Sequence, residues 1–317
     1  MIANGTNGQA GLMARLATWW QGETAISTPP LLPEFGRGTG KTATITPCAS
    51  PEPALNLEVA EVLSPSQTNT FLDCNARWYF KYFRGLPDVT DARRAMGRAV
   101  HHALAENFRL KIQSGQDLER EEFLGIYAEG WKTEAASARF APDDDPEELA
   151  LTGSVLAQKY LVEKAPAITP VAVERKVTGL IGGVKVQGYV DLLNSNGRIV
   201  DIKTSIKKPP GIRPDYARQV ATYARLTPGA SGQVGIDTLI QTRGRDGRPT
   251  KSAPEIHSSA YRVTDADLRH IDVIYPLAQE AMRSGLYTPN RGSMFCSRSS
   301  CAYWAECERE FGGTVEE

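Results

Sequence analysis

Residues 188–204, GYVDLLNSNGRIVDIKT, constrain the fold more than any other stretch of the chain. Two apolar runs flank a tight-turn signal, Asn194-Ser195-Asn196-Gly197. Asp191 lies before that turn, and an Asp-x-Lys triplet, Asp201-Ile202-Lys203, lies after it. Ionisable groups set in strand-like apolar sequence are costly to bury without partners. The spacing predicts a hairpin of 186–193 and 198–204 joined by a three-residue loop, 195–197, with Gly197 in the left-handed position that such a loop wants. Asp191 then stands opposite Asp201, with Cβ atoms roughly 5 Å apart. The two-residue period brings Lys203 to the same face. A two-residue Asn-Gly turn would slip the register by one and send the acids to opposite faces.

Two carboxylates beside one ammonium suit a divalent cation, Mg²⁺ or Mn²⁺, and attack on a phosphodiester. Other residues are candidates to join them. Gly97-Arg98-Ala99-Val100-His101 falls on an expected helix, where Gly97 allows close approach to the sheet and His101, rather than His102, faces it as a metal ligand. Glu174, on an expected strand, is a further carboxylate for the metal or a partner for Lys203. Gln219 and Tyr223 are four apart on one helical face, able to bond phosphate or base, with Tyr223 able to stack.

Net charge is −1, so contact with nucleic acid must come from local patches. Arg77, Lys81, Arg84, Arg93, Arg94 and Arg98 precede His101, interleaved with Trp78, Tyr79, Tyr82 and Phe83. Lys207, Lys208, Arg213 and Arg218 follow the triplet. Basic groups track phosphates and aromatics stack unpaired bases, although the same aromatics could serve as core.

Residues 1–57 are expected to be linker-like. Prolines crowd positions 29–53 among Gly, Ser and Thr, a composition that cannot build a core. Leu12, Leu16 and Trp20 permit a short docking helix. GRGTGKT at 36–42 imitates a phosphate loop but has Phe35 where that pattern needs glycine. The ordered domain is 58–317. Ser64-Pro65-Ser66-Gln67 starts a helix running through FLDCNARWYFKYF, with Gln67 completing a capping box. Helices are expected at 91–113, 120–135 and 146–164, the last capped by Asp145-Pro146 within an acidic DDDP run. Strands follow at 170–179, 183–193 and 198–204, then a helix at 213–226, strands at 233–241 and 257–263, a helix at 264–284 and an irregular tail. This order gives an α/β fold with a mixed central sheet flanked by helices. No signal peptide or membrane-length run is legible, so a cytoplasmic location is the expectation.

Five cysteines in a reducing compartment favour metal over disulfides. Cys296, Cys301 and Cys307 share the tail, Cys74 lies in the first ordered helix, and Cys48 falls in the linker. Four thiolates can bind zinc or a [4Fe–4S] cluster. The short paired CxxC spacing of zinc sites is missing, and a one-plus-three split points to a cluster tying the two ends of the domain together.

Assembled in this order, the residues resemble the PD-(D/E)XK nuclease superfamily, and within it RecB-like exonucleases stapled by an iron–sulfur cluster, such as the CRISPR-adaptation nucleases and the AddB nuclease domain. The resemblance covers about 61–310. It implies a restriction-endonuclease-like fold and a metal-dependent deoxyribonuclease, acting as an exonuclease on single strands or DNA ends in recombination, repair or phage- and CRISPR-type processing. It implies metal ligation by His101, Asp191, Asp201 and the Ile202 carbonyl, catalysis by Lys203, and DNA contacts from Gln219, Tyr223, Lys207 and Arg218. Cys74, Cys296, Cys301 and Cys307 become cluster ligands, with Zn²⁺ as the alternative. DNA is the implied partner, with a helicase or recombinase at the N-terminal extension. A non-catalytic DNA-binding or recombination scaffold on the same fold is the alternative function.

Overall fold

A computed structural model describes residues 57–88, 90–142, 144–242 and 253–312. The docking helix, the phosphate-loop imitation and Cys48 lie outside these residues. All described residues belong to one compact unit, Pro51–Glu317.

The unit is built on a six-stranded sheet. Strands β2 (Pro170–Ile181) and β3 (Val184–Asn194) pair antiparallel along their whole length. The other edge of β3 is shared: β1 (Val62–Leu63) runs parallel to its start, and β4 (Ile199–Ser205) runs antiparallel to its end. β4 pairs parallel with β5 (Gln233–Ile240), which pairs antiparallel with β6 (Glu255–Arg262). Seven of the eight β5 residues are buried, as a central strand covered on both faces requires.

The loop is the longer one. Gly197 N–H donates to the Asn194 carbonyl at 2.9 Å and Asn194 N–H to the Arg198 carbonyl at 2.9 Å. Gly197 has φ 76°, the left-handed conformation a glycine adopts without steric cost. The pairs Leu192–Val200 and Leu193–Ile199 set the register. One step further along it stand Asp191 and Asp201.

Helices cover both faces. α3 (Ala92–Ser114), α4 (Arg120–Ala135) and α5 (Pro146–Glu163) enclose one core with Leu192, Val200, Ile202 and Leu239. α6 (Pro214–Leu226) lies over the other with Val190, Ile199 and Ile236, and α7 (Asp265–Arg283) packs beside it. Caps fix their starts: Asp91 accepts from Arg94 N–H, Asp145 from Glu147 and Glu148 N–H, and Thr264 forms a reciprocal box with Asp267. None of the described helices is long and apolar enough to cross a membrane.

Two local expectations are corrected. Ser64 caps α1 (Pro65–Asp73), but the Gln67 amide donates to the Val59 carbonyl at 2.7 Å instead of closing a box. The helix also does not run unbroken through Cys74. That residue is extended, φ −155° and ψ 110°, and separates α1 from α2 (Asn75–Trp78), which continues as a π-helical turn at Tyr79–Phe83. The break turns the chain toward the C-terminal tail: Asn290 donates its side-chain amide to the Asp73 carbonyl at 2.7 Å, and Ser293 reaches Asp73 Oδ2 at 2.8 Å. The tail is not wholly irregular, since α8 (Trp304–Phe311) closes it.

Candidate functional site

The β3–β4 ladder stops at Leu192–Val200. Beyond it Asp191 Oδ2 accepts the Ile202 N–H at 3.0 Å, so the carboxylate bridges the parting strands. Two glycines let helices press against this point. A Cβ at Gly97 would lie 2.8 Å from Thr204 Oγ1, and a Cβ at Gly188 would lie 2.7 Å from Tyr223 Cε1. Gly97 thus seats α3 on β4, and Gly188, three residues before Asp191, seats α6 on β3.

On the α3 side, His101 Nδ1 lies 3.7 Å from Asp191 Oδ2. Glu174 joins them: one ligand atom each from His101, Glu174 and Asp191 falls within 4.8 Å of the others, a spacing that can hold a metal ion. Glu174 is the only non-glycine among the described residues with positive φ, 46°. Such backbone strain concentrates at functional sites. Burial, then the Asp191 charge, raises the Glu174 carboxyl above its ordinary value, with His101 opposing. His102 is exposed and packs at Gly130 of α4, away from the acids.

Asp201 is placed differently from the expectation. Its side chain is only 3% exposed and is taken by Lys203, whose Nζ lies 2.9 and 3.0 Å from its two oxygens. Gln219 Nε2 donates to Asp201 Oδ1 at 3.2 Å and sits 3.2 Å from the Tyr223 hydroxyl. A buried carboxylate takes the nearest cation, and here that cation is two residues along the same strand. Burial, with Asp191 adding, pushes Asp201 up to about 6 against the opposing pull of Lys203. Burial works against the Lys203 charge too, but Asp201 and Asp191 outweigh it and hold that pKa above the ordinary lysine value. Three acids therefore face one ammonium and one imidazole, a charge balance that favours a divalent cation.

The broad basic and aromatic surface does not survive folding. Lys81 pairs with Asp88, Arg84 with Glu310, Arg93 with Asp144, Arg94 with Asp91 and Arg98 with Glu134. Trp78 and Phe83 are core residues, and Tyr79 and Tyr82 pack against that core. Tyr223 is 7% exposed, so its ring cannot stack a base and only its hydroxyl reaches the site. Lys207 is exposed at the end of β4. Arg218 bonds Asn69 Oδ1 at 2.7 Å. One residue escaped the sequence reading: Tyr216, whose ring centroid is 5.6 Å from Lys203 Nζ and 5.7 Å from the Arg213 guanidinium. Its position one turn before Gln219 was the available signal.

Cys74, Cys296, Cys301 and Cys307 line one small cavity and form no disulfide. Asn290 N–H donates to Cys74 Sγ at 3.4 Å. Burial raises the Cys301 thiol and pushes Cys307 up to about 11. Trp304 Nε1 and Arg291 Nη1 are buried without a hydrogen-bond partner, and both residues line this cavity. Orphaned donors beside four thiols suit a group rich in acceptors. Among the described residues, no three of the thiols fall within 4.8 Å of one another. A single zinc at 2.3 Å from each sulfur would draw them to roughly 3.8 Å.

The family model of the PD-(D/E)XK nuclease superfamily matches residues 62–308. No curated protein matches. Among solved structures, one described as a "putative exonuclease" from Eubacterium rectale is 13% identical, with TM-score 0.47, over 83% of this chain and 92% of that one. A second, SSO0001, is 12% identical, with TM-score 0.34, over 72% of this chain and 88% of that one.

Proposed function

Because the chain belongs to the PD-(D/E)XK nuclease superfamily, we propose that it is a divalent-metal-dependent deoxyribonuclease whose centre lies where β3 and β4 part. His101, Glu174 and Asp191 are the ligands for Mg²⁺ or Mn²⁺, with Asp201 and the Ile202 carbonyl completing the set. The observation that carries this reading is the convergence of His101 and Glu174 on Asp191 beside an Asp201–Lys203 pair. When bound, the ion polarises the scissile phosphate and acidifies a water. Lys203, held protonated by Asp201 and Asp191, cannot act as a base; it stabilises negative charge on the phosphate as the water oxygen bonds to phosphorus and the ester bond breaks. Gln219 fixes Asp201, and Tyr223 fixes Gln219.

The four-cysteine cavity is the place for a [4Fe–4S] cluster held by Cys74, Cys296, Cys301 and Cys307. The orphaned Trp304 and Arg291 donors, which an acceptor-rich group would satisfy, support the cluster over Zn²⁺. Residues 1–57 are an extension to a nuclease domain of 58–317, and a helicase or recombinase is the partner class that would use it.

The test is Mn²⁺-dependent digestion of end-labelled single- and double-stranded DNA. Wild type should release labelled product and D201A should not. Cleavage by purified D201A would remove the assignment. Strand binding without cleavage by wild type would favour a non-catalytic scaffold.

A further inference from the structure

A second groove adjoins the metal centre on the α6 side, between α1, the start of α6 and the cysteine-bearing tail. It has about 790 Å³ of open space. Arg77, Arg213 and Arg218 line it with Phe295, alongside the acids Asp73 and Asp215. The two acids are engaged: Arg213 forms a forked pair with Asp215 at 3.0 and 3.2 Å, and Asp73 accepts from Ser293. Arg218 is bonded by Asn69 and, among the described residues, by no carboxylate. The nearby Asp215 charge favours the guanidinium but is already held by Arg213, so a half-buried Arg218 hydrogen-bonded to a neutral side chain is stabilised by a further anion. Burial also pulls the Arg218 pKa below its ordinary value.

Arg77 lies over the Phe295 ring at 5.2 Å, leaving a ring that is 38% exposed. Met294 beside it is 71% exposed, and Arg213 Nη1 lies 3.6 Å from its sulfur. Cationic side chains beside a partly exposed aromatic ring are the chemistry of single-strand binding, where guanidinium groups hold phosphates and a ring stacks a base. Tyr216 connects this groove to the centre, with Lys203 Nζ 5.6 Å and the Arg213 guanidinium 5.7 Å from its ring centroid.

We infer that this groove is a single-stranded nucleic-acid subsite: Arg77 and Arg218, the groove arginines that no described carboxylate pairs, take phosphates adjacent to the scissile one, and a base stacks on Phe295. The inference deepens the nuclease reading and rests on it for the strand's direction past Tyr216. It also gives the cysteines a task. Phe295 precedes Cys296, Arg77 follows Cys74 by three residues, and Asp73, Arg77 and Phe295 line both the groove and the cysteine cavity. Holding the tail against α2 therefore holds one wall of the strand path.

The test measures binding, in EDTA, of a fluorescein-labelled twelve-nucleotide strand and of the matching blunt duplex to the full chain by anisotropy. F295A should weaken strand binding about tenfold. R218Q should weaken it and flatten the slope of log K against log salt by about 0.7. K132Q, an exposed cation on α4 outside the groove, should leave strand affinity unchanged. Circular dichroism melts of each variant exclude unfolding, and R77Q is a second variant should R218Q melt. Unchanged strand affinity in F295A and R218Q, or duplex bound more tightly than strand, would overturn the subsite. Mn²⁺-dependent cleavage by wild type is scored separately, so a failed nuclease reading and a failed groove give different results.

Discussion

Lys203 Nζ sits 2.9 Å from Asp201 Oδ2, and the Asp201 side chain is 3% exposed while that of Lys203 is 26% exposed. The acid is therefore buried beneath an amine that reaches the site, and the pair works as a unit. Removing the amine strands a carboxylate in the core, while neutralising the acid frees an ammonium that water can reach.

K203M should abolish cleavage and lower stability by about 2 kcal/mol at pH 7, below the loss typical of a fully buried pair because the amine is partly solvated. The deficit should shrink at pH 5, where Asp201 takes up a proton. Urea denaturation at the two pH values checks this. A deficit equal at both would show that Asp201 is not the group left uncompensated.

Asp201 is raised from 3.8 to about 6. The native state thus binds this proton more tightly than the unfolded chain between those values. The stability from this group is complete below pH 3.8 and is lost as pH rises through about 6, with a ceiling of about 3 kcal/mol. Metal-free wild type should gain melting temperature relative to D201N on going from pH 7 to pH 5. Cleavage should run the other way and fall below pH 6, because a protonated Asp201 brings no charge to the centre. Parallel melting profiles for the two proteins would refute the shift.

Glu174 holds φ 46° in β2. Glycine normally weakens a strand relative to alanine, but here E174G should be more stable than E174A by about 1 kcal/mol, since only alanine keeps the strain. Both should bind Mn²⁺ at least tenfold more weakly by calorimetry. Equal affinity to wild type would take Glu174 out of the ligand set.

Cys301 shares its cavity with three other thiols. C301A, purified without oxygen, should lose the visible absorbance of an iron–sulfur cluster and melt several degrees lower. The hydrogen bonds from Asn290 and Ser293 to Asp73 remain, so the tail should loosen without the domain unfolding. A colourless wild type would point to zinc or to free thiols.

Much of the architecture was legible because its causes are local. Ser64, Asp91, Asp145 and Thr264 cap helices through bonds to residues two or three away. The hairpin register followed from a three-residue loop ending in Gly197. That register alone put Asp191 and Asp201 in line, because a ladder propagates its pairing rigidly from the turn. Gly97 and Gly188 were visible as residues, and Gly97 was already read as the point where α3 meets the sheet.

Only the packed chain decided which groups meet. Glu174 and His101 are separated by 73 positions and come together because Gly97 seats α3 on β4 and β2 pairs along β3. Lys81, Arg84, Arg93 and Arg98 read as part of a cationic surface until Asp88, Glu310, Asp144 and Glu134 arrive from other elements to neutralise them. Tyr223 read as a stacking ring until Gly188 took it into the core. Coulomb attraction and burial depend on distance in space, which sequence order specifies only over a turn or a hairpin; beyond that, side-chain packing between helices and sheet sets it.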